Sequence, residues 1–124
     1  MQPTSGHSLR VRLLIVGVAL LALFGLFAAI HGVPWRQRVP ITRALLTQPS
    51  VLSILVATCG GDPAVDEFRE DEGKIVVSVV STRTYGGRGA NDCLDGVEVP
   101  LGAPLADRAV VDATTRKEIV VEDR

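Results

Sequence analysis

Lys74-Ile75-Val76-Val77-Ser78-Val79-Val80-Ser81-Thr82-Arg83-Thr84 is the stretch on which the fold turns. Ile75, Val77 and Val79 fall on one face of an extended chain, and Val76, Ser78, Val80 and Thr82 on the other. It is too rich in β-branched residues for a helix, so it reads as a long strand. Just before it, Glu70-Asp71-Glu72-Gly73 has the chemistry of a hairpin turn, with Gly73 available for positive φ. Ala64–Arg69 is then the partner strand, and Val51–Thr58 (VLSILVAT) an earlier central strand with apolar residues on both faces. After the Tyr85–Asp92 loop, Gly96–Leu101 alternates with Val97, Val99 and Leu101 inward, and Pro100 marks an edge. Ala109–Asp112 and Glu118–Val121 suggest a second hairpin across Ala113–Lys117. Short strands at this spacing predict a small all-β domain over 51–124, an antiparallel sandwich or open barrel of five or six strands.

Further from the strand, the character of the chain changes. From Leu13 to Ile30 there are eighteen residues with no charge, polar side chain or proline, and twelve of them are Leu, Ile, Val or Phe. Those twelve favour insertion into a bilayer by about 4 to 7 kcal/mol before Ala and Gly discount it. Extended to Val33, the run makes a helix of roughly 31 Å, the thickness of the hydrocarbon layer. It is longer than the apolar core of a cleaved leader, and its best small-residue site has Leu26 at the −3 position. It therefore reads as an uncleaved signal anchor over 13–33, preceded by a short cytoplasmic segment, 1–12.

Pro34 ends the helix, and Trp35, Arg36 and Arg38 fall where the membrane interface is expected. Residues 34–50, with Pro34, Pro40 and Pro49, read as a basic linker. Within it Ile41, Ala44 and Leu45 have helical spacing, so 41–47 is either one or two turns on the membrane surface or an unstructured tether. In the anchor, Ala22, Gly25, Ala29 and Gly32 form a small-residue stripe that would let a second helix approach closely. Such a stripe also arises by chance in an Ala- and Gly-rich chain.

The charge divides with the architecture. Residues 1–48 carry +5 and residues 49–124 carry −6. An acidic domain argues against nucleic acid as a partner. The lipid bilayer, and a membrane or envelope protein, are the partners this organisation implies. The only cysteines, Cys59 and Cys93, stand at strand ends, and a domain this small often needs a covalent staple. A disulfide is the expectation, with two buried thiols as the alternative. It also supplies the orientation, because a bridge needs an oxidising compartment outside the cytoplasm.

Chemistry is sparse. The two histidines, His7 and His31, lie before the domain, so no Ser/His/Asp or Cys/His set can be built within it. Asp62, Asp66 and Glu67, or Asn91, Asp92 and Asp95, are the acidic groups that could meet calcium, but neither has the spacing of a dedicated loop. Gly86-Gly87-Arg88-Gly89 lacks the strand-to-helix context of a phosphate cradle. No catalytic residue, metal site or cofactor is expected. Tyr85 and Arg88 are the candidates for a partner contact, because exposed Tyr and Arg are favoured at binding hot spots. The reading is a non-enzymatic envelope component; the alternative is a small secreted hydrolase or a ligand- or metal-binding module using the acidic face.

Cys59-Gly60-Gly61-Asp62-Pro63, Asp92-Cys93-Leu94-Asp95-Gly96-Val97-Glu98-Val99, Pro104-Leu105-Ala106-Asp107-Arg108 and Val110-Val111-Asp112 with Thr114 together resemble a pattern of small, uncharacterised actinobacterial envelope proteins. The resemblance spans roughly 50–116. It implies an all-β extracytoplasmic domain with bridged cysteines, and no particular activity. This chain has Arg116 where that pattern usually carries Gly.

Overall fold

A computed structural model describes residues 5–86 and 91–123. One helix, α1 (Ser5–His31), is followed by nine strands. It is long and apolar enough to cross a membrane over Gly6–His31, and its apolar side chains are exposed. The strands are β1 (Val33–Val39), β2 (Ile41–Gln48), β3 (Val51–Val56), β4 (Ala64–Glu70), β5 (Lys74–Tyr85), β6 (Asp95–Pro100), β7 (Ala109–Asp112), β8 (Lys117–Ile119) and β9 (Val121–Asp123).

The long strand is the axis of the first sheet. β4 pairs with it antiparallel over Ile75–Val80. Its other edge takes two strands in succession, β7 in parallel over Lys74–Val77 and β1 antiparallel over Val79–Tyr85. The second sheet has the order β6-β3-β2-β9, with β9 parallel to β2. The domain is strand-rich as expected, but the described residues carry nine strands, seven of them beyond residue 50 where five or six were expected. Both sheets are mixed rather than antiparallel, and no closed barrel forms.

Alternation locates the core. Ile75, Val77 and Val79 from β5 meet Leu52, Ile54 and Val56 from β3, with Val39, Ile41, Ala44, Val99, Leu101, Leu105 and Val110 closing around them. Burying one such aliphatic side chain stabilises by about 1.5 to 3 kcal/mol. The expected inward set of Val97, Val99 and Leu101 is found, Val97 only half-buried. The Glu70–Gly73 turn also forms, with the Asp71 amide donating to the Lys74 carbonyl at 2.8 Å.

The largest correction concerns 34–50, which is not a linker. β1 begins at Val33, one residue after the helix, and β1 and β2 form almost the whole segment. Pro40 stands between them, where the chain leaves the first sheet for the second and needs no ladder amide. The Ile41-Ala44 spacing that suggested helix comes from a bulge. The register slips between Ile41 and Arg43, so two exposed residues separate buried Ile41 from buried Ala44. Asp112 secures this corner. It is fully buried, and its Oδ2 accepts the Ile41 amide at 3.0 Å while Oδ1 accepts the Thr114 amide at 2.9 Å. The second hairpin is shorter than expected: Val120 is 82% exposed and separates β8 from β9, which belong to different sheets.

The helix meets the domain without a spacer. Gly32 is buried, has φ +76° and donates its amide to the Ala28 carbonyl at 2.8 Å. A β-carbon there would collide with Thr84 Cγ2 and the Gly86 carbonyl. Gly32 is thus the left-handed cap of α1 packed on the end of β5, and not part of a stripe facing another helix. Ala22, Gly25 and Ala29 remain exposed on α1.

Candidate functional site

Beyond the core, β1 and β5 continue as a two-stranded ribbon toward the end of α1. Cross-strand partners share a face, and the register sets Val33 opposite Tyr85 and Trp35 opposite Arg83. These four occupy the face that carries Val39 and Val79 in the core, two rungs further along. Here no second sheet covers them: Trp35 is 63% exposed, Tyr85 50% and Val33 37%. The Gln37 amide donates to the Tyr85 hydroxyl and so fixes the ring. The result is an apolar and aromatic surface beside the helix end, with the half-buried Arg83 as its cation.

Of the two residues expected at a partner contact, Tyr85 lies here, beside Trp35, which was expected at the membrane interface, whereas Arg88 is outside the described residues. Val33 and Arg83 were not singled out from sequence. The two-residue alternation of Val33, Trp35, Gln37 and Val39 is the signal that would have found them, and Pro34 and the arginines obscured it.

Arg36 and Arg38 project from the opposite face and find partners within the domain. Arg36 Nη1 donates to the carbonyl of Asp62 at 3.0 Å. Arg38 pairs with Asp66 at 2.6 Å and lies 3.7 Å from Glu67. This accounts for the first acidic group, whose carboxylates at 66 and 67 are matched by arginine. The second is divided among structural duties. Asn91 bonds both backbone groups of Thr84, and Asp95 holds the start of the Cys59 loop. No set of three His, Cys, Asp or Glu suited to a metal occurs among the described residues.

The cysteines are bridged, with Cα atoms 4.9 Å apart, inside the range a disulfide requires. Asp95 reinforces the same junction. It accepts the Thr58 hydroxyl at 2.5 Å, the Gly61 amide at 2.8 Å and the Gly60 amide at 3.1 Å. Because the single Thr58 proton goes to Asp95, the Ser81 hydroxyl donates to Thr58 in turn. The Thr58 bond and then the Gly61 amide hold the Asp95 carboxyl below its ordinary value, against an opposing effect of burial, with a lesser contribution from the Gly60 amide.

Glu70 forms a comparable clasp on the loop between β6 and β7. It accepts the amides of Gly102 and Ala103 and pairs with Arg108 at 2.7 Å. The Gly102 amide and then Arg108 lower its pKa. The surface depression beside it, about 760 Å³, is wide open and lined by Asp71, Glu72, Asp107 and Arg108. The chain matches no family model, no curated protein and no solved structure.

Proposed function

We propose that this chain is a single-pass membrane protein whose β domain lies outside the cytoplasm and serves as a non-enzymatic binding component of the cell envelope. The contact surface is the exposed face of Val33, Trp35, Arg83 and Tyr85, and the partner is a membrane or envelope protein held at the bilayer surface. The observation that carries this reading is the direct passage from α1 into β1 through the buried Gly32. A helix apolar enough to span, joined to the domain without a tether, keeps the aromatic face within a few residues of the headgroup region. The bridged cysteines support the oxidising side of the membrane.

The test is photo-crosslinking in intact cells with a photoreactive residue at Trp35, Tyr85 or, as a distant control, Val120. Adducts to one protein from positions 35 and 85, absent from 120, are expected. Equal labelling from all three positions, or lipid adducts alone, would refute a protein partner at this face.

A further inference from the structure

The far end of β5 carries a different surface. On the outer face of the first sheet, Arg69, Val76 and Val111 lie side by side in the register of β4, β5 and β7. Val76, Val111 and Ala113 form the floor of a depression of about 430 Å³, and Arg38, Arg69, Lys74 and Arg116 stand around it with one carboxylate, Glu67. From this location we infer a binding site for a phosphate-type oxyanion, borne by a small molecule or a lipid headgroup.

Two observations lead there. The first is charge that the domain leaves uncompensated. Glu67 and Asp66 are shared by Arg38 and Arg69, whereas Lys74 and Arg116 pair with no carboxylate among the described residues. In a segment of net charge −6 this is a locally cationic hollow, with Glu118, opposite Val111, as the nearest further acid in the register. The second is the backbone of Arg116, which has φ +60°. A long side chain is a costly occupant of the left-handed region, where Gly or Asn fits, and strain of this kind collects at binding sites. A guanidinium beside an ammonium, over an apolar floor, suits a multivalent oxyanion through charge-assisted hydrogen bonds. Lys74 and Tyr85 are the two ends of β5, so this hollow is separate from the aromatic face beside the helix.

The experiment uses the full chain in nanodiscs, with tripolyphosphate as the soluble probe and amide chemical shifts as the readout. In neutral phosphatidylcholine discs, tripolyphosphate is expected to shift residues around Val76, Val111 and Arg116. Arg116→Gly with Lys74→Gln should weaken that binding about tenfold or more, and Glu118→Gln should tighten it about two- to threefold. Arg116→Gly relieves a positive φ, so its melting temperature should not fall, which separates lost binding from lost folding. Anionic phosphatidylglycerol discs form the second arm. The same shifts there without tripolyphosphate, again lost in the double variant, identify a headgroup as the source. The inference is overturned if neither arm moves these residues, or if the double variant binds as the parent does.

Discussion

Glu70 and Asp95 each hold two consecutive backbone amides, and each is ionised more readily in the folded chain than in the unfolded one. A lowered folded pKa means that the unfolded state binds the proton more tightly. Their contribution to stability is therefore complete above the ordinary carboxylate range, about pH 4 to 4.5, and is lost as pH falls through the lower folded values. Denaturant midpoints measured between pH 7 and 3 should drop on the acid side. Glu70→Gln and Asp95→Asn should each start less stable and lose less on acidification. An acid limb as steep in both variants as in the parent would assign the pH dependence to other carboxylates. Neither clasp was legible beforehand: the turn at 70–73 was, but nothing in its sequence indicates that Glu70 reaches across to residues 102 and 103.

At the level of elements, what was readable and what was not have one physical cause. β3 and β6 were visible because one face of each is buried in a single core and the alternation is unbroken, and β5 because a long β-branched run is buried on both faces over residues 75–79. β1 and β2 were hidden by a proline at the crossing between sheets, a bulge that changes the spacing, and arginines matched by acids on other strands. The parallel pairings of β7 and β9 leave no local trace, since the partners lie far apart in the chain. The junction gives a direct test. Gly32→Ala adds a β-carbon at φ +76° into Thr84 and Gly86, so it should loosen the helix end. Limited proteolysis between 31 and 36 should accelerate at least several-fold, whereas Gly25→Ala, with open space around it, should change nothing. The Cys59–Cys93 bridge offers another. Its loss should cost about 2 to 5 kcal/mol. Cys59→Ser and Cys93→Ser should be equally harmful, and the double variant little worse than either, by equilibrium unfolding. Additive losses would contradict a single covalent unit. Asp95 joins the same two segments, so Asp95→Asn should be more harmful in the reduced protein than in the oxidised one.

For the molecule as a whole, one residue separates the apolar helix from the first strand, and the proposed membrane topology can be tested directly. The chain should stay with membranes through alkaline carbonate extraction, and thiol reagents should label neither cysteine until a reductant is added. A soluble product beginning near Ala29 would show instead that the apolar run is a removed leader. Both halves of this organisation were legible in the sequence, the apolar helix from its length and the β domain from its alternation; their direct junction was not, because it depends on one glycine and the far end of β5. A mechanical property follows from the second sheet. β9 ends the described chain and runs parallel to β2, which continues from the strand leaving the anchor. Tension between membrane and C-terminus would then drag these two strands lengthwise in opposite directions. Their hydrogen bonds would share the load and give way together, instead of opening one by one like the teeth of a zip. Should anything tug on the C-terminus, the domain is strung to resist along that line, and to yield sooner when pulled across its hairpins.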